Sequence, residues 1–84
     1  MDAGVGLMNK VRLNELKPHE EGVVVELMAG KGLTRRLCEM GIVPGARVKV
    51  LLIGHGPIVV ETMGSRIAIG KGMASKILVE KIRK

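Results

Sequence analysis

Leu33-Thr34-Arg35-Arg36-Leu37-Cys38-Glu39-Met40-Gly41-Ile42-Val43-Pro44-Gly45 encodes a short helix, its stop and a turn into a strand. Leu33, Leu37 and Met40 recur at i, i+4 and i+7, which sets all three on one helical face. Arg35, Arg36 and Glu39 fall away from that face. Gly41 can take the left-handed conformation that ends a helix, and Ile42 stands where an apolar residue packs back on the last turn. Pro44 forbids further helix, and Pro44-Gly45 is a turn pair. The predicted helix runs over 34–40.

Outward from this stretch the pattern is strands. Val11-Arg12-Leu13 reads as a short strand, with a helical turn at Asn14-Glu15-Leu16 ended by Pro18. Glu21 to Leu27 is a strand by its β-branched run, and Met28 to Gly32 reads as loop. Ala46 to Ile53 is the clearest strand, because Arg47 and Lys49 alternate with Val48 and Val50. Ile58–Thr62 and Ser65–Ile69 follow as a hairpin across Met63-Gly64. Gly70 to Ser75 turns the corner, and Ile77 to Ile82 closes the domain. About five short strands with one inserted helix predict a mostly β domain, a barrel or sandwich. A closed barrel would also remove exposed sheet edges. Residues 1–10 read as a flexible N-terminal extension and 11–84 as the folded domain.

The chain of 84 residues is 46% hydrophobic yet has no Phe, Tyr or Trp. Its core must come from Val, Ile, Leu, Met and Ala. The missing aromatics weigh against a small barrel that stacks single-stranded nucleic acid, where each stack contributes about 1–3 kcal/mol. The net charge of +6 leaves a basic nucleic-acid-binding barrel as the alternative, carried by Arg47 and Lys49. The single cysteine, Cys38, excludes an internal disulfide and fits a reducing compartment. Neither a secretory signal nor an apolar run of membrane-spanning length appears, so a cytoplasmic protein without membrane insertion is expected.

No convergent set of acid, base and nucleophile is legible, and an enzyme is not expected. Cys38 lies mid-helix, away from the N-terminal position that lowers a thiol pKa, and reads as a half-buried structural residue. A redox-sensing Cys38 is the competing reading. Gly30-Lys31-Gly32 and Gly70-Lys71-Gly72 lack the spacing and the Ser or Thr of a phosphate loop. Cys38, His19 and His55 are the strong nitrogen and sulfur ligands of the chain, and no pair of them has ligand-like spacing. No cofactor is expected. The metal alternative is a metal-ion-binding carrier module with a weakly held transition metal, Fe or Zn, or a dimer in which such a metal bridges two copies. Arg35 and Arg36 have two readings of equal standing. Both are solvated, with Arg35 paired to Glu39 at i+4, or both present a forked donor set to a partner's carboxylate or phosphate.

The block Arg35-Arg36-Leu37-x-x-Met40-Gly41-Ile42-x-Pro44-Gly45 resembles ferrous iron transport protein A, the FeoA family. Leu13-x-x-Leu16, Gly22-x-Val24, Gly56-Pro57, Ile67-Ala68-Ile69 and Ala74-x-x-Ile77-x-Val79 look like the same pattern, from about Val11 to Ile82. The resemblance implies an SH3-like barrel with an inserted helix. It implies a cytosolic accessory protein of bacterial iron homeostasis, associated with the inner face of the membrane through a FeoB-type ferrous iron permease. It also implies protein–protein interaction, with transition metal ion binding as a family property for which this sequence offers no internal ligand set. On that reading Leu33, Arg35, Arg36, Leu37 and Met40 are the partner-binding residues, with Leu37 and Met40 also anchoring the helix. Gly41, Pro44 and Gly45 are the structural turn. A monomer or weak homo-oligomer is expected.

Overall fold

The computed structural model describes residues 10–82. Six strands form one antiparallel sheet: β1 (Lys10–Arg12), β2 (Glu21–Leu27), β3 (Arg47–Ile53), β4 (Ile58–Thr62), β5 (Ser65–Ile69) and β6 (Ile77–Ile82). Their order is β1-β6-β2-β3-β4-β5. A 3₁₀ turn, Leu13–Glu15, follows β1. Helix α1 (Lys31–Glu39) joins β2 to β3, and a single-turn helix α2 (Lys71–Ala74) joins β5 to β6. Among the described residues the ladder does not close into the barrel expected from the sequence: β1 and β5 are its two ends. Lys10 pairs with Glu80, so it belongs to the sheet and not to an extension. Residues 1–9 of the expected extension lie outside the described residues.

A single sheet can bury a core only by wrapping around it. Buried Val24, Val48, Val50, Ile58, Val60, Ile69, Ile77 and Val79 come from five strands and meet Leu13, Leu16, Leu37, Ile42 and Ala74 in one cluster. Two bulges keep the sides correct. A register shift between Val24 and Glu26 leaves Glu26 outside and turns Leu27 toward the core. A second shift, between Val50 and Leu52, turns Ile53 inward and leaves Leu52 59% exposed. Gly22 of β2 leaves no room for a side chain against β6; a Cβ there would stand 2.9 Å from Val79 Cγ2.

Helix α1 begins three residues before the predicted start. The Thr34 N–H donates to the Gly30 carbonyl at 2.9 Å, and the Thr34 hydroxyl donates to the Ala29 carbonyl at 3.2 Å. These bonds draw Lys31, Gly32 and Leu33 into the first turn, where a glycine interrupts little.

Candidate functional site

The end of α1 is built by local chemistry. The Ile42 N–H donates to the Leu37 carbonyl at 2.9 Å and the Gly41 N–H to the Cys38 carbonyl at 3.0 Å. This is the paired-bond ending that a left-handed residue makes possible, and Gly41 supplies it with φ +88°. Leu37 and Ile42, both wholly buried, close the apolar contact beneath it. Pro44 and Gly45 then form a type II turn: the Ala46 N–H donates to the Val43 carbonyl at 2.9 Å, and Gly45 has φ +93°. The turn is tied to β2 by Gly45 N–H to Val24 O at 2.7 Å and Val24 N–H to Ala46 O at 2.8 Å.

The helix is thereby held with one face in the core and the other in water. Leu37 is 0% exposed, so it anchors and cannot touch a partner. Met40 and Leu33 are half-buried and pack against the core. Of the three apolar residues grouped with the arginines as a contact surface, Leu37 is therefore enclosed, while Leu33 and Met40 keep part of their surface in solvent. Arg35 and Arg36 are exposed. The ion pairs among the described residues are Arg47–Glu21 (2.9 Å) and Lys81–Glu20 (2.8 Å); neither helix arginine takes part, and Arg35 does not pair with Glu39. Cys38 is exposed, not half-buried as expected, because it lies one position round from Leu37 on the solvent side.

Met63 joins this surface, although the sequence marked it only as a connection. It is 82% exposed, and its sulfur lies 3.3 Å from where a Cβ on Gly41 would stand. The tip of the β4–β5 hairpin thus rests against the stop of α1. The signal that could have found it is a large apolar residue at a turn position that favours Asn or Gly.

Beside Met63 lies an open depression of about 370 Å³, lined by Glu21, Arg47, Lys49, Glu61, Thr62 and Gly64 among others. Both signs of charge line it. Lys49 stands between Glu21 and Glu61 in register, and Arg47 is paired with Glu21. The two basic residues that favoured a nucleic-acid reading are therefore compensated by neighbouring carboxylates. The Thr62 hydroxyl, buried below, donates to the Arg47 carbonyl at 3.0 Å.

The candidate metal ligands do not converge. Among the described residues no three His, Cys, Asp or Glu side chains are placed to hold an ion. Cys38 is on α1, His19 in the turn before β2, and His55 in the β3–β4 turn. These residues do not form a resident metal site within one copy. His19 instead has a backbone role. It takes φ +75° in the turn Lys17–Glu20, where its N–H donates to the Val50 carbonyl at 2.6 Å.

Residues 11–81 match the family model of the FeoA domain. The chain belongs to the FeoA family. The Fe(2+) transport protein A of Methanocaldococcus jannaschii is 47% identical over 64 residues, which is 76% of this chain and 78% of that protein. The crystal structure of an iron uptake regulatory protein, FeoA, superposes with a TM-score of 0.83 at 39% identity, covering 87% of this chain and 99% of that one. The FeoA of Stenotrophomonas maltophilia, crystallised with zinc and described as a prokaryotic SH3 domain protein, matches with a TM-score of 0.71 at 29% identity over 87% of this chain and 96% of its own. The mostly β, SH3-like fold and the link to ferrous iron transport are therefore properties of the family to which this chain belongs. No helix among the described residues is long and apolar enough to cross a membrane.

Proposed function

We propose that this FeoA-family chain is a non-catalytic accessory protein of ferrous iron uptake that docks on the cytosolic part of a FeoB-type permease. The solvent face of α1 and the adjoining tip at Met63 are the contact surface. The observation that carries this reading is the pair of exposed guanidinium groups of Arg35 and Arg36 outside both ion pairs, on a helix whose opposite face is locked by Leu37. A rigid helix lowers the entropic cost of presenting two forked donors to a partner's carboxylates. Docking there biases the permease between conformations and so regulates transport.

Backbone NMR of the labelled chain, titrated with the cytosolic region of its cognate permease, tests this. Shifts are expected on residues 31–45 and at Met63. The double variant Arg35→Glu/Arg36→Glu is expected to keep the fold and weaken binding at least about tenfold, since two charge-assisted contacts become repulsive. Unchanged affinity in that variant overturns the proposal. Shifts produced by short DNA or RNA instead would move the nucleic-acid reading ahead.

A further inference from the structure

The two ends of the sheet differ in how they are guarded. Among the described residues β1 spans Lys10–Arg12 and carries two cations, Lys10 and Arg12, a feature by which edge strands repel unwanted pairing. β5 is five residues long, has no proline, and runs in unbroken register with β4. Met63 and Gly64, at φ +52° and +80°, make a type I′ turn, so its flanking pair Thr62 and Ser65 is a hydrogen-bonded pair. Alternation then turns the backbone groups of Ser65, Ile67 and Ile69 toward β4 and those of Arg66 and Ala68 toward the open edge. Arg66 and Ala68 are both exposed.

Two rows of side chains cross the outer face of the sheet and stop at this edge. One is a ladder of alternating charge, Glu21, Lys49, Glu61 and Arg66, directly opposite one another on β2, β3, β4 and β5. The other is apolar: Leu52, Val59 and Ala68. The next strand in such a sheet would continue the first row with a carboxylate and the second with an apolar side chain, two residues apart. Pairing of β5 with the β5 of a second copy does not supply that pattern. Antiparallel pairing of β5 with itself about Ile67 sets Ala68 opposite Arg66, and pairing about Arg66 opposes two like charges.

We propose that the open edge of β5 binds an extended segment of a protein partner by strand addition, and that the segment carries Asp or Glu opposite Arg66 and a β-branched residue opposite Ala68. Main-chain bonds to Arg66 and Ala68 hold the strand, and the two rows choose it. The inference extends the docking role to a second surface and stands on different residues from α1, so each can fail alone.

The test uses two synthetic nine-residue peptides of alternating Thr and Val. One has a central Glu two residues from an Ile; in the other Lys replaces the Glu. Each is titrated into the labelled full chain. The Glu peptide is expected to shift the amides of Arg66 and Ala68, and to bind about 2–30-fold more tightly than the Lys peptide, the range for exchanging a favourable for an unfavourable cross-strand charge pair. Arg66→Glu should reverse that preference. Ala68→Pro, which removes a donor unused among the described residues, should abolish binding of both peptides. Should that variant fail to fold, Arg66→Glu decides alone. Equal affinity for the two peptides, shifts away from β5, no binding at all, or self-association through β5 overturns the inference. Permease binding lost only in the Arg35/Arg36 variant, with the peptides inert, would overturn strand addition and leave the α1 reading standing.

Discussion

The stop of α1 and the tip of the β4–β5 hairpin touch each other, yet they are built on opposite terms. At the stop, residue and backbone agree. Gly41 and Gly45 hold φ of +88° and +93°, where an L side chain would be strained. At the tip they disagree: Met63 holds φ +52° as the first residue of a turn that suits Asn or Gly. His19 repeats the disagreement at φ +75°, after Pro18. Agreement marks positions the fold requires. Disagreement marks positions where surrounding bonds hold a residue that local preference would not choose, and an exposed one of that kind is a candidate for contact.

The sharpest test of this contrast is at Gly41. Gly41→Ala places a Cβ in a left-handed conformation and toward the Met63 sulfur. Thermal unfolding should show a loss of about 1–2 kcal/mol, a fall in Tm of roughly 4–16 °C for a domain of this size. An unchanged Tm would mean that the helix stop does not depend on glycine. At the tip the sign reverses. Met63→Asn should raise stability by up to about 1 kcal/mol, because Asn tolerates the left-handed region better and no core contact is lost. The same variant should weaken permease binding; if it is less stable, the side chain is structural and the contrast fails.

The smallest effect lies beside His19. The Glu20 carboxylate accepts the Lys17 N–H at 2.8 Å and pairs with Lys81 Nζ at 2.8 Å. The Lys17 bond, reinforced by the Lys81 bond, holds its pKa below the ordinary 4.5. A carboxyl depressed on folding stabilises the fold above its unfolded pKa, and that contribution is lost as pH falls through the folded value. Carbon-detected NMR titration should place the Glu20 midpoint below 4.5. A Lys81→Ala variant should move it up part of the way, leaving the larger backbone contribution in place.

Much of the fold was legible because its signals are local. The spans of β2, β4 and β5 match those read from β-branched runs and the Met63-Gly64 pair. The helix stop followed from Gly41, Ile42 and Pro44 in order. The start of α1 was not legible, since Lys31 and Gly32 carry no helical signal and Thr34 draws them in through bonds to Gly30 and Ala29. On the candidate surface, Arg35 and Arg36 were readable as solvent-facing from the spacing of Leu33, Leu37 and Met40. The burial of Leu37 as an anchor was readable from the same spacing; the exposure of Cys38 and the presence of Met63 were not, because each depends on how the helix is rotated against distant strands.

The body of the helix, its stop, the turns and the strands are written in the order of residues, because each rests on contacts within a few positions. Tertiary structure decided which apolar residues are inside. The inward run of Val48 and Val50 would carry Leu52 into the core, and the bulge at Leu51 sends it to the surface. It also decided that the sheet stays open at β5 and that four charges on four strands fall into one alternating row. Register and bulges are set by pairing between strands far apart in the chain, and no local pattern encodes them.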